Sequence, residues 1–141
     1  MADIAAEAEK VILDIAKKDW KTKQPMTDRF DKSKLVFDLK TNQIRKVLTA
    51  VNSLTGRIDV YRAKHGQEDT LSEELADAVK YLKVKFIYQA GREDSVKQFV
   101  NRANLVARID GIGTSIKKYE EFARYIEALV AYHKFYGGKD K

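Results

Sequence analysis

Apolar residues recur at three- and four-residue spacing along nearly all of this chain, and no window alternates polar and apolar residues between turn signals. Such spacing gathers apolar side chains into one stripe per helix, and each stripe must be buried against another element. A single proline, Pro25, interrupts the 141 residues, and glycine pairs are few, which argues against a sheet-rich fold. The expected class is all-α: a compact bundle of about five helices, mostly antiparallel neighbours, forming one domain over residues 1–141.

Ile4, Ala8, Val11, Ile12 and Ile15 predict a first helix from about residue 3 to 19. Residues 20–40 hold Pro25 and show no period, so they read as a long connection, partly mobile in the unbound chain. That length leaves the first helix free to pack here or on another copy. Thr41 is expected to cap a second helix whose stripe runs Ile44, Val47, Leu48, Val51, Leu54, Ile58 and Tyr61 and which ends near Gly66. Thr70-Leu71-Ser72-Glu73 matches a capping box for a third helix, with Leu75, Val79, Leu82 and Phe86 inward and a stop at Gly91. Val96, Phe99, Val100, Ala103 and Val106 predict a fourth helix over 94–109. Ile116, Tyr119, Phe122, Ile126 and Leu129, with His133 or Phe135, predict a fifth over 115–136.

Zero cysteines leave neither disulfides nor thiolate metal sites, and two isolated histidines, His65 and His133, cannot form a zinc site. No cofactor is expected. The start is acidic and amphipathic rather than basic and then apolar, and no run approaches a membrane span, so a cytoplasmic protein without membrane contact is expected. His65 reads as a dipole-compensating residue at a helix end, and His133 as packed in the last helix. The acidic pairs Glu73-Glu74, Glu93-Asp94 and Glu120-Glu121 lie in first turns of helices, where the helix dipole explains them without catalysis. Gly111-Ile112-Gly113 follows no strand and is a loop, and Gly137-Gly138-Lys139 reads as a flexible tail whose lysine could touch a neighbour or RNA.

The net charge is +6, and the segment from Lys17 to Lys46 carries an excess of that same size while the rest is neutral overall. That asymmetry points to an anionic partner, for which nucleic acid and a solvated lysine-rich surface are the competing readings. In the third helix Lys80 and Lys83 are neighbours, Lys85 lies partway round, and Arg92 follows the glycine. Lys97 and Arg102 could extend the stripe. Tyr81 and Tyr88 suit base stacking, but helical spacing favours a core position for them.

Three blocks then resemble one family: Thr41-Asn-Gln-Ile-Arg-Lys-Val-Leu48, Tyr81-Leu-Lys-Val-Lys-Phe-Ile-Tyr-Gln-Ala-Gly-Arg92, and the segment from Tyr125 to Asp140. Together they look like the small subunit of type III-A CRISPR effector complexes, over about residues 41–140, the last block being the most specific. The resemblance implies a compact helical bundle, no catalysis by this chain, and guide RNA and target RNA held by their backbones. It also implies backbone and large subunits, and other copies of the chain, as protein partners, and no small-molecule substrate. Carried over position by position, the RNA-binding set is Arg45, Lys46, Lys80, Lys83, Lys85, Arg92 and Lys97; Gln43 stands where the family pattern has lysine. Tyr132, Phe135 and Tyr136 are expected to pack the bundle or meet a neighbouring subunit.

Two rival readings remain open on the sequence. One is a helical protein-interaction module whose basic surface meets acidic proteins. The other is a weak helical ribonuclease using His133; for the arginine–histidine spacing that helical ribonucleases of the HEPN type use, Arg62 is too close to His65 and Arg57 too far.

Overall fold

In the computed structural model, residues 3–66 and 69–137 are described. They form six helices: α1 (Ile4–Ile15), α2 (Thr41–His65), α3 (Glu73–Arg92), α4 (Asp94–Arg102), α5 (Leu105–Asp110) and α6 (Ile116–Tyr136). Among these residues the only β pairing is three isolated bridges. The tail at Lys139 lies outside the described residues. Helix α6 packs on α1 and α2; α3 packs on α2, α4 and α5; and α1 also touches α4, which closes a ring. Inside that ring lie Ile12, Val51, Phe99, Leu105, Ile126 and Leu129, all fully buried. Burying each such side chain contributes about 1.5–3 kcal/mol, so the stripes read from the sequence are what hold the helices together.

Several local expectations change. The fourth predicted helix is two, because Asn104 adopts a left-handed conformation (φ 57°, ψ 41°) between α4 and α5. Asparagine tolerates that region, and its backbone turns the chain while Ala103 and Leu105 on either side stay buried. The cap of α2 is Lys40, not Thr41: the Gln43 side chain accepts a hydrogen bond from the Lys40 amide at 2.8 Å, and Thr41 is buried in the first turn. Ser72, not Thr70, caps α3 by accepting from the Leu75 amide. The backbone around Thr70 is instead tied to the start of α6, where Leu71 donates to the Thr114 carbonyl and Ile116 to that of Asp69. Helix α3 also runs through Gly91 and ends only after Arg92. Gly66, by contrast, ends α2 in the left-handed conformation (φ 68°) that glycine adopts without steric cost.

Helix α1 packs on its own chain. Tyr136 of α6 donates to the Glu9 carboxylate, and Arg108 of α5 pairs with Glu7 while lying 3.8 Å from the centre of the Tyr125 ring. The hydrogen bond to Glu9 pushes the Tyr136 phenol up. The connection to α2 is equally anchored. Lys17 donates to the Val36 carbonyl, Val36 to that of Met26, and Met26 to that of Lys17, a closed ring of backbone bonds from which two hairpins project. Leu35 then donates to the Tyr136 carbonyl at 2.6 Å, fixing the unit to the end of α6.

Candidate nucleic-acid interface

Leu75, Val79, Leu82 and Phe86 turn one side of α3 into the core, yet its opposite side is also apolar. Tyr81 is 61% exposed and Tyr88 60%, with Val84 and Ile87 about as open. The core position favoured for the two tyrosines by spacing is therefore corrected: aliphatic residues occupy the inner stripe, and the rings face solvent. The Lys85 ammonium lies 5.7 Å from the centre of the Tyr81 ring and the Arg92 guanidinium 5.6 Å from that of Tyr88, within cation–π range.

Between α2 and α3 this surface forms an open groove of about 390 Å³, with Lys46, Val47 and Ala50 on one wall and Tyr81, Lys85 and Tyr88 on the other. Toward the start of α3 it continues past Arg57, Glu74 and Asp77, where the Arg57 guanidinium lies 3.5 Å from the Glu74 carboxylate. The groove thus grades from a basic, aromatic end to a mixed-charge end.

The seven sequence-selected cations do not form one stripe. Lys46 and Lys85 face each other across the groove. Lys83 points to the far flank of α3, its ammonium 2.8 Å from the Asp110 carboxylate at the end of α5. At ~100° per residue, Lys83 and Lys85 are separated by about 200° around the helix. Lys80 is exposed, nearer the Lys83 flank. Arg92 and Lys97 share a shallow cleft with Ile87, Val100 and Val106 at the α3–α4 corner. Arg45 is exposed on α2, outside the residues that line the groove. Gln43 accepts from Ser95 of α4 at 3.1 Å as well as closing the α2 cap.

Sequence reasoning missed two further rings. Trp20 is 76% exposed and Phe30 90%, one on each hairpin, with Lys21 and Arg29 set over them at 5.2 and 5.8 Å. The adjacent pairs Trp20-Lys21 and Arg29-Phe30 were the available signal, in a segment already marked by its charge excess.

Of the two histidines, His133 is withdrawn from solvent and His65 stands exposed at the end of α2. His133, rather than Phe135, is the buried member of its pair, with its Nε2 2.7 Å from the Leu39 carbonyl. His65 uses Nδ1 against the Tyr61 carbonyl and stacks on that ring. Phe135 is 73% exposed. Tyr119 is buried with its hydroxyl on Thr55 and the Val51 carbonyl, and burial pushes the phenol up to about 12. Among the described residues no group of three or more histidine, cysteine or acidic side chains could hold a metal ion. No described helix is long and apolar enough to cross a membrane.

Fold and surface together define a helical protein of net positive charge whose exposed aromatic rings lie beside cations. Comparison with known proteins narrows that class. The family model described as Csm2 Type III-A matches residues 13–139. The chain is 44% identical over 110 residues, 78% of its length and 85% of the relative's, to the CRISPR system Cms protein Csm2 of Mycobacterium tuberculosis (strain H37Rv). It is 42% identical over 102 residues to the Streptococcus thermophilus protein of that name, covering 72% of this chain and 76% of the relative. The same-named protein of Enterococcus italicus is 32% identical over 133 residues, 91% of each chain. The chain belongs to the Csm2 family of type III-A CRISPR systems.

Proposed function

We propose that this protein is a non-catalytic small subunit of a cytoplasmic type III-A CRISPR ribonucleoprotein complex. It lies along guide RNA paired with target RNA and holds the two strands by their phosphates. Copies of the chain follow one another beside the repeated backbone subunits, with the large subunit as a further neighbour. The observation that carries the reading is the α2–α3 groove, where Lys46 and Lys85 face each other beside exposed tyrosines on the side away from the core. Cations at this spacing attract phosphate without reading bases, which suits a subunit that must accept any guide sequence. The buried position of His133, bonded to the Leu39 carbonyl, supports a non-catalytic chain.

The test is fluorescence anisotropy of labelled single-stranded RNA, guide–target duplex RNA and duplex DNA against the protein over a salt series. Sequence-independent RNA binding that weakens with salt is expected. An isolated subunit binds more weakly than a filament, whose linked sites act together, so the series starts at low salt. No binding of any probe there would overturn the reading in favour of a protein-interaction module. RNA cleavage abolished by one substitution in this chain would overturn the non-catalytic role.

A further inference from the structure

The hairpins between α1 and α2 carry a second surface, separate from the α2–α3 groove. Their tips present the two most exposed aromatic rings of the described chain, Phe30 and Trp20. An apolar ring left in water forfeits the free energy of burial, so two such rings on one small unit mark a contact surface. The unit is rigidly built. The hydrogen-bond ring through Lys17, Met26 and Val36 closes its base, and Leu35 bonds the end of α6. Each tip is held by an aspartate that accepts from backbone amides two residues on: Asp19 from Lys21 at 2.7 Å, Asp28 from Phe30 at 2.8 Å. Asp31 holds the Ser33 amide likewise at 3.0 Å. The acids of this segment are thereby committed to their own turns, while cations stand over the rings.

We propose that this double hairpin is a second RNA contact, in which Trp20 and Phe30 stack on unpaired bases while the flanking lysines and Arg29 take adjacent phosphates. The proposal rests on the RNA-binding reading and adds a second place, apart from the groove tyrosines, where rings engage bases. Charge decides between a nucleic acid and an ordinary protein partner. From Lys17 to Lys34 the chain has seven basic residues against three acidic, a local excess that favours a polyanion. Ring and cation side by side match a polymer in which base and phosphate alternate. Bases inside a duplex already stack on each other, so the rings engage a strand where pairing is interrupted or ends.

Trp20 is the only tryptophan, and its fluorescence reports the contact directly. The full-length protein is titrated with a 5′-labelled uridine oligomer and with an abasic ribose-phosphate oligomer of equal length, following tryptophan emission and label anisotropy at fixed salt. Quenching by the uridine strand alone is expected, with an affinity about five- to a hundredfold above that of the abasic strand for each stacked base. Trp20→Leu with Phe30→Leu should erase that difference while leaving the salt slope unchanged, and Trp20→Phe should restore part of it. Equal affinities with no quenching would overturn the proposal and leave phosphate binding by the groove intact. Failure of both strands to bind at low salt would overturn the RNA reading itself. A double variant that binds uridine normally but no longer co-purifies with the other subunits would also overturn the proposal, showing the tips to be a protein-docking surface.

Discussion

The imidazole of His133, near the end of α6, has its Nε2 2.7 Å from the carbonyl of Leu39, one residue before the cap of α2. A carbonyl can only accept, so Nε2 carries the proton and donates, while the buried Nδ1 has no partner among the described residues. The Phe37 ring packs against the imidazole at a 50° tilt, with the ring centres 4.8 Å apart. Protonating Nδ1 would bury an unpaired charge, and burial accordingly holds this histidine below its ordinary value near 6.5. The unfolded chain then binds that proton at higher pH than the folded one. This contribution to stability is therefore undiminished above ~pH 7 and is lost as pH falls through about 6.5 toward the folded value. Urea unfolding between pH 5 and 7.5 should show this loss. His133→Leu should be less stable by about 1–2 kcal/mol at pH 7.5 yet flatter across the window; an equally steep profile would assign the dependence to another group.

Gly137 and Gly56 make opposite predictions for the same substitution. Gly137 has φ 135°, and a Cβ there would meet the Leu35 carbonyl oxygen at 2.5 Å, where the hairpin unit rests on α6. Gly137→Ala should therefore cost on the order of 2–3 kcal/mol, because neither backbone can yield without breaking the Leu35–Tyr136 bond. Gly56 lies inside α2 with open space around it. Gly56→Ala should add about 0.5–1 kcal/mol by restricting the unfolded chain. Paired thermal melts check both, and a neutral Gly137→Ala would mean that the hairpins are not docked on α6 in solution.

The stripes through Ile44–Ile58 and Leu75–Phe86 were legible because every core position obeys the helical period. The break at Asn104 was not, since Val100, Ala103 and Val106 keep that period across it and one left-handed residue leaves no trace in hydropathy. The hairpins escaped for a related reason: isolated bridges need no run of alternating residues, and their turns depend on the short side chains of Asp19, Asp28 and Asp31. For the surface, residue types were legible and their placement was not. Lys83 and Lys85 entered one RNA-binding set, with Lys85 expected only partway round from Lys83, but they point to opposite flanks of α3, and only the tertiary position of α5 shows that Lys83 meets Asp110. Tyr81 and Tyr88 were assigned inward because they share the helical spacing of Leu75 and Leu82; which of two stripes is buried depends on the neighbours.

Tyr119 ties α6 to the middle of α2 through hydrogen bonds of 2.8 Å to the Val51 carbonyl and 2.9 Å to the Thr55 hydroxyl. Tyr119→Phe keeps the ring packing and removes only these bonds, so it should cost about 1 kcal/mol without altering helicity. Spectrophotometric titration should find one tyrosine fewer ionising near pH 12 in the variant, the native phenol being pushed up to about 12 by burial. An unchanged denaturation midpoint would show that the hydroxyl exchanges for water at no cost.

The opposite flanks of α3 separate the proposed RNA surface from its structural background. Lys46→Glu with Lys85→Glu reverses both charges at the groove and should lower duplex-RNA affinity at least ~tenfold at low salt, while reducing the salt slope by about two phosphate contacts. Lys83→Ala removes a partly exposed ion pair with Asp110, for which the expected stability change is within about 1 kcal/mol and the RNA affinity nearly that of the parent. Anisotropy titrations of both variants at three salt concentrations, with far-UV circular dichroism to confirm the bundle, give the comparison. Should Lys83→Ala weaken RNA binding as strongly as the groove variant, the phosphate path would run over the α3–α5 side, and the Lys83–Asp110 pair would have to open for RNA to bind.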